Sequence, residues 1–142
     1  MATNNNTILK FKTQIQNKKD ELGLIGVYVG PSIDHIMDIN DQLPAVLITD
    51  YGEEVQAVSN GAYDLECELS VIVYMSFLNN DNNILTNILN KTNQIQNVIE
   101  SMTDSQIQIY QTTCERASVN GTIISKEIKV NFSLCGVEYA NH

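Results

Sequence analysis

Positive charge is scarce in this sequence. Its 142 residues include 8 lysines and arginines against 17 aspartates and glutamates, which gives a formal net charge of −9. A surface that grips phosphates needs clustered cations, so this composition argues against direct nucleic-acid binding and against attraction to an anionic membrane. The only near-clusters lie on one predicted helix, where a solvated helix face is the simpler interpretation: Lys10, Lys12, Lys18 and Lys19.

Cysteines, aromatic residues and long apolar runs are also few. The three cysteines are widely spaced and form no Cys-x-x-Cys pair, so a zinc site is not indicated and we expect reduced thiols. Aromatic residues make up 6% and tryptophan is absent, which disfavours a stacking platform for single strands. No segment reaches about 18 consecutive apolar residues, and the polar start does not resemble a secretory signal. We therefore expect neither a membrane span nor secretion.

Few residue patterns in the sequence could support catalysis. His35 beside Asp34 is the one arrangement that could orient a general base, but no Gly-x-Ser-x-Gly turn supplies a nucleophile. The acidic run at residues 38–41 lacks the glycine and the closing glutamate of a calcium-binding loop. We therefore expect no enzymatic activity, no metal and no cofactor.

Two segments have helical periodicity. Apolar residues at helical spacing predict a helix over residues 7–22, with Thr7 as its cap and Gly23 as its stop. A second helix is predicted over residues 82–102, with Asn80 or Asp81 as its cap. One stripe of this second helix is apolar: Ile84, Leu85, Ile88, Leu89, Ile95, Val98, Ile99 and Met102.

Several shorter segments have the character of strands. Residues 24–31 predict a short extended segment, residues 32–43 an acidic connector, and residues 44–49 a strand. Asp50, Tyr51 and Gly52 resemble a tight turn, with a return strand at 53–57 and another turn at 59–61. A closing hairpin is predicted from residue 107 to residue 134, with its turn at Asn120 and Gly121.

The strongest strand signal covers residues 63–77. Its odd positions are apolar, whereas its even positions begin with Asp64, Glu66 and Glu68 and turn apolar at Ile72 and Tyr74. A period of two over this length indicates one buried face and a second face that is wet at first and covered later. The strand exceeds the usual maximum of about 10 residues, so it either bends at a bulge or extends beyond its own domain.

The order of elements predicts an α+β fold in one domain. We expect a two-layer sandwich in which one long helix and an N-terminal helix pack on a mainly antiparallel sheet of four to five strands. Residues 1–6 and 137–142 are predicted to be flexible. The sheet edges of such a fold offer backbone groups that neighbouring copies in a ring could pair with.

The carboxylates on the long strand have three possible uses. Glu66 and Glu68 would share one strand face, with Asp64 in line. Such a row can perform acid–base or metal chemistry, can form the solvated face of a sheet, or can line a channel and repel a polyanion. Without a further ligand pattern, the solvated face is the favoured interpretation over metal or catalysis.

The layout resembles the tail terminator proteins of long-tailed bacteriophages, the tail-to-head joining family that includes minor tail protein U. The resemblance rests on an N-terminal helix, the phrase Pro-Ala-Val-Leu-Ile at residues 44–48, the alternating strand at 63–77, the helix at 82–102 and the closing hairpin. It covers nearly all of residues 7–135. The glycine-bracketed segment at residues 24–30 departs from many relatives.

The resemblance implies a structural virion protein. Such proteins form a ring, typically a hexamer, on the last layer of the tail tube, stop its polymerisation and present a surface to the head-tail connector or completion proteins. DNA passes through the ring without specific binding. The expected location is the virion tail or neck, after synthesis in the host cytoplasm.

Site residues follow from the same resemblance. Asp64, Glu66 and Glu68 are candidates for the lumen or for a contact between subunits. Two loops are candidate contacts with the tube or connector: Asp50, Tyr51 and Gly52, and Asn80 and Asp81 within residues 79–83.

Other functions remain open on the sequence alone. The protein could be a different tail or neck subunit, such as a tube, completion or connector protein. It could also be a small cytosolic module that dimerises and uses its sheet for binding. A hydrolase that uses His35 with Glu66 and Glu68 is the least favoured of these.

Overall fold

The computed structural model describes residues 5–31, 42–57, 62–76 and 83–138. The predicted α+β fold is confirmed, because in these ranges three helices accompany one mostly antiparallel sheet of six strands, slightly larger than expected. In chain order the elements are α1 (Asn5–Gln16), α2 (Lys19–Leu22), β1 (Gly26–Val29), β2 (Ala45–Ala57), β3 (Ala62–Ser76), α3 (Ile84–Glu100), β4 (Ile107–Cys114), β5 (Ser118–Asn120) and β6 (Ile123–Glu138).

The sheet has β3 and β6 at its centre. The strand order is β1-β2-β3-β6-β4, and β5 pairs with the beginning of β6 beyond the end of β4. Among the described strands, β1 and β2 form the one parallel pair, and the other pairs are antiparallel. None of the helices in the described residues is long and apolar enough to cross a membrane.

The N-terminal helix differs from its prediction in two ways. It begins at Asn5, so Thr7 lies inside α1 and is 6% exposed rather than acting as the cap. It also ends at Gln16, and the short helix α2 follows after a turn. The predicted stop is confirmed, because Gly23 caps α2 with a φ of 67°, a left-handed conformation that glycine adopts without steric cost.

The predicted tight turn at residues 50–52 is wrong. Asp50, Tyr51 and Gly52 lie within β2, a single strand of 13 residues that stays paired with β3 on both sides of this point. The register shifts between Asp50 and Gly52, as it does at a β-bulge. The strand therefore contains one extra residue between Asp50 and Gly52, and the chain does not reverse there. The turn predicted at residues 59–61 lies outside the described residues.

The long strand is confirmed and lies inside the sheet. β3 spans 15 residues and pairs with β2 on one side and with the 16-residue β6 on the other. Its length is therefore matched by neighbours of similar length within the chain, since β2 has 13 residues and β6 has 16. The register with β6 shifts between Tyr63 and Leu65, as at a bulge. Five of its odd positions are buried as predicted, and Met75 is partly buried: the five are Leu65, Cys67, Leu69, Val71 and Val73.

The long helix is confirmed, although its buried stripe is narrower than predicted. Asn83 stands at the N-cap position; Asn80 and Asp81 lie outside the described residues. Leu85 and Leu89 are 54% and 41% exposed, whereas the buried line also includes Thr92. Successive side chains on a helix are rotated by about 100°, so the residue after each buried isoleucine falls on the flank. The buried line consists of Ile84, Ile88, Thr92, Ile95 and Ile99.

The main core lies between the helices and one face of the sheet. Phe11 of α1 and Phe132 of β6 meet there, with ring centroids 5.1 Å apart and planes inclined by 54°. The alternation predicted for β6 is confirmed, since Ile124, Ile128, Val130, Phe132 and Leu134 are all buried. This layer of apolar side chains fixes the faces of the sheet and leaves the opposite face to polar residues at one end.

The other face of the sheet also has an apolar end. Leu43, Ala45, Leu47 and Tyr74 are buried there, and Tyr28, Ile72 and Ile123 pack against them. The predicted change from a wet to a covered face along β3 is therefore confirmed. It means that the polar end and the apolar end of this face are distinct surfaces.

The closing hairpin is confirmed in outline. β4 ends at Cys114, the chain resumes as β5 at Ser118, and Gly121 turns the chain into β6 with a φ of 62°. Ordered elements also extend two residues into each end that was predicted as flexible, because α1 includes residues 5 and 6 and β6 includes residues 137 and 138.

Candidate functional site

The first candidate surface is the edge of the sheet along β2. The parallel strand β1 covers only Ala45–Ile48 of β2, which is about a third of the strand. From Thr49 to Ala57, β2 pairs with β3 alone among the described residues. We call residues 49–57 the open stretch of β2. Its backbone has a row of N–H and C=O groups directed away from β3, which is the surface that another strand can join.

The second candidate surface is the opposite edge, along β4. The Cys135 amide donates to the Gln106 carbonyl at 2.8 Å, and the Glu115 amide donates to the Glu127 carbonyl at 2.9 Å. In an antiparallel ladder such hydrogen-bonded pairs alternate with pairs whose backbone groups point outward. Counting inward from both ends, and allowing for the register shift between Ile109 and Gln111, assigns the outward groups of β4. They belong to Ile107, Ile109, Thr112 and Cys114.

Acidic residues lie at one end of the sheet face that is opposite the helices. Glu66 and Glu68 are both partly exposed on β3, opposite Ser133 and Asn131 of β6. On the other side, Glu66 is the register partner of Glu54. Asp64 lies in the same strand, at the register shift relative to β6. The sheet therefore brings together Glu66 and Glu68 as predicted, and a glutamate on β2 lies next to them.

Tyr110 joins this acidic end and was not foreseen from the sequence. It is the extra residue at the register shift of β4, is 57% exposed, and its hydroxyl donates a hydrogen bond to Oε2 of Glu66 at 3.3 Å. Partial desolvation of the hydroxyl and the negative charge of Glu66 raise the pKa of Tyr110. A bulge redirects a side chain, and no pattern in the sequence predicts a bulge at this position.

A polar pair with one buried member lies further along the same face. Ser70 is 1% exposed, and its hydroxyl donates to the carboxylate of Glu127 on β6. A buried hydroxyl without a partner would be costly, so this bond satisfies Ser70 and holds Glu127 against the sheet. It marks the border between the acidic end and the apolar end of the face.

A chain of side-chain hydrogen bonds connects β4 to α3. The Cys114 thiol donates to Oε1 of Gln96 at 3.2 Å, Nε2 of Gln96 donates to the Thr112 hydroxyl at 2.7 Å, and that hydroxyl donates to Glu100. Burial raises the pKa of the Cys114 thiol, an effect that Lys126 opposes. These contacts fasten the edge strand to the helix layer through side chains and do not use the outward backbone groups of β4.

A groove opens between α1 and the segment that follows α3. Its volume is about 530 Å³, and Lys10 and Asp104 form an ion pair of 3.0 Å at its wall. The amide of Gln106 donates to Asp104 at 2.9 Å. This hydrogen bond, together with Lys10, lowers the pKa of the Asp104 carboxyl. The contacts connect α1 to the beginning of β4.

The remaining sequence-predicted residues have different outcomes. Asp50, Tyr51 and Gly52 belong to the open stretch of β2 instead of a loop. Asn80 and Asp81, together with Asp34, His35 and the acidic run at 38–41, lie outside the described residues. Within the part of the chain that the structure describes, no group of three or more His, Cys, Asp or Glu side chains is arranged to hold a metal ion.

Comparison with protein-family models gives no match for this sequence, and comparison with curated proteins gives none either.

Proposed function

We propose that the protein is a structural subunit of a bacteriophage tail, a tail terminator that assembles into a ring, typically of six copies, on the end of the tail tube. The ring would stop tube polymerisation and join the tail to the head-tail connector or completion protein. Its location would be the tail or neck of the virion. DNA would pass through its channel without specific binding, and the subunit would have no catalytic role.

The observation that supports this function best is the pair of open sheet edges. Among the described residues, the open stretch of β2 and the outer side of β4 have no partner strand, and they lie on opposite sides of the sheet. Surfaces on opposite sides form head-to-tail contacts, and head-to-tail contacts between identical copies close into rings when the rotation permits. The order of helices and strands on which the resemblance was based supports the same proposal.

The acidic end of the sheet suits a channel for DNA. Glu66 and Glu68 place two carboxylates on one face of β3, and Glu54 is the register partner of Glu66, in a chain that already has a net charge of −9. Carboxylates on a channel wall keep a polyanion from adhering, so DNA can move through. We therefore assign Asp64, Glu66 and Glu68 to the lumen.

Negative-stain electron microscopy of the concentrated, purified chain tests the ring directly. We expect closed rings with a central opening, either for the chain alone or on added tail tubes. Compact dimers or monomers under both conditions would contradict the proposal and would favour a dimeric binding module.

The lumen assignment has a matched pair of variants. Glu66→Lys combined with Glu68→Lys reverses two charges at the acidic end, and we expect assembled rings of this variant to retain duplex DNA at low salt. Asp20→Lys combined with Glu21→Lys makes the same change on exposed positions of α2, in the helix layer, and serves as the control. Equal DNA retention by both variants would argue against a lumenal position for Glu66 and Glu68.

A further inference from the structure

We infer that neighbouring copies join by pairing β4 of one chain with the open stretch of β2 in the next, so that the sheet continues across the interface. The inference rests on the proposed ring and specifies its contact. The partner is a second copy of this chain, and the recognition is the formation of a β-ladder between backbone groups.

Charge favours this pairing over a symmetric one in which β2 of one copy pairs with β2 of another. The open stretch carries Asp50, Glu53 and Glu54, so two such stretches paired with each other would bring like charges into one ladder. Like charges on adjacent strands destabilise the pair, and charged edges are a known protection against self-pairing. β4 has the sequence IQIYQTTC and contains no charged residue. A neutral edge can join the acidic edge without this repulsion.

The symmetric alternative, in which β4 pairs with β4 of a second copy, uses only one of the two edges. If β4 paired with β4 of a second copy, the dimer would be closed and the open stretch of β2 would remain without a partner strand in both copies. The pairing of β4 with β2 uses β4 and the open stretch of β2 in every copy of a closed ring and leaves only the short strand β1 as an edge among the described strands. The remaining edge strand, β1, has only four residues, and such short edges are poor templates for pairing.

The two edges also match in length. β4 has eight residues, and the open stretch of β2 runs from Thr49 to Ala57. The outward backbone groups of Ile107, Ile109, Thr112 and Cys114 give the ladder its donors and acceptors. The hydrogen bonds that connect Thr112 and Cys114 to α3 hold β4 in place before a partner arrives, which reduces the entropy lost on pairing.

Charges introduced on β4 test the pairing. Gln111 and Thr113 are exposed in the single chain. Changing both to glutamate, as Gln111→Glu with Thr113→Glu, places carboxylates beside the acidic stretch of the next copy, and we expect self-association measured by sedimentation velocity to weaken about tenfold or more. The matched control, Gln111→Lys with Thr113→Lys, is expected to associate at least as tightly as the original chain. Thermal unfolding of dilute samples verifies that each variant is folded.

A compensating change makes the test specific. Glu53→Lys with Glu54→Lys on β2 is expected to restore the association of the glutamate variant of β4, because opposite charges then meet. Both positions are changed so that either face of the strand is covered. If the glutamate and lysine variants of β4 associate equally, or if no rescue occurs, the pairing of β4 with β2 is overturned.

The outcomes separate this contact from the proposed function. Rings that form normally in both β4 variants would overturn the contact and leave the ring intact. A dimer whose association follows the charge pattern would support the edge contact and contradict the ring. A chain that remains monomeric at millimolar concentration and on tail tubes would contradict both.

Discussion

At the scale of single residues, Asp104 shows how one carboxylate holds two parts of the chain together. It accepts a hydrogen bond from the Gln106 amide and pairs with Lys10 of α1, and these contacts lower its pKa. A carboxyl whose pKa is lower in the folded chain than in the unfolded chain stabilises the fold at pH values above its ordinary pKa, which is 3.8 for this group. That stabilisation is lost as the pH falls through the folded-state pKa.

Asp104→Asn tests this assignment. The amide oxygen can still accept from Gln106, so the variant removes chiefly the charge. We expect a loss of about 0.5 kcal/mol in the free energy of unfolding near pH 7, typical of a partly exposed ion pair. Urea denaturation at several pH values measures it, and the difference between the two proteins should shrink below pH 4. A difference that stays constant down to pH 3 would show that the charge of Asp104 is not responsible.

Tyr110 reports on the acidic end of the sheet. Its pKa is raised by partial desolvation and by Glu66, so Glu66→Gln is expected to lower that pKa without restoring it fully. Ultraviolet titration of the tyrosinate signal measures the change, and subtraction of the Tyr110→Phe variant isolates this tyrosine from the others. Glu115→Gln, a glutamate outside this hydrogen bond, is the matched control. An unchanged Tyr110 titration in Glu66→Gln would mean that the two groups do not interact in solution.

At the scale of elements, α3 is stabilised by one line of side chains and not by all of its apolar residues. Ile95 is fully buried, whereas Leu85 on the same helix is 54% exposed. The two positions therefore differ in burial while sharing the same secondary structure.

Ile95→Ala and Leu85→Ala form a matched pair. We expect Ile95→Ala to lower the free energy of unfolding by about 2–5 kcal/mol, because it removes apolar contacts and leaves a cavity. Leu85→Ala should change it by about 0.5 kcal/mol or less, since its side chain is largely in solvent and alanine favours the helix. Similar losses at both positions, measured by chemical denaturation, would contradict the placement of α3 on the sheet.

Periodicity made several elements predictable from the sequence. The alternation in β3 and β6 and the spacing of Phe11, Ile15 and the isoleucines of α3 follow directly from which face contacts the core. Local turn chemistry was less informative. Asp50 and Gly52 resemble a turn in isolation, but continued pairing with β3 on both sides keeps them in a strand.

The candidate site was predictable only where it follows from alternation. Glu66 and Glu68 share a face because they are two residues apart on one strand. The contribution of Tyr110 depends on a bulge in β4, and the openness of β2 depends on the four-residue length of β1. Both are tertiary facts about strand pairing, which a single sequence does not specify.

At the scale of the whole molecule, the sheet of described strands is open at both edges: β4 is the outermost strand on one side, and on the other side β1 covers only part of β2. The helices cover one face, and the apolar end of the other face is covered as well. In the described residues, the backbone groups along β4 and along the open stretch of β2 are left for a partner. The proposed assembly is compatible with a net charge of −9, because backbone pairing between a neutral edge and an acidic edge does not require opposite charges.

The central claim is that copies of this chain assemble by pairing their sheet edges, and amide hydrogen exchange tests it most directly. Exchange would be measured by NMR or mass spectrometry on dilute and on assembled samples of the same protein. The account predicts that assembly slows exchange at the outward amides of Ile107, Ile109, Thr112 and Cys114 and along residues 49–57, while core amides of β3 remain unchanged. Assembly with unaltered exchange along both edges would contradict it.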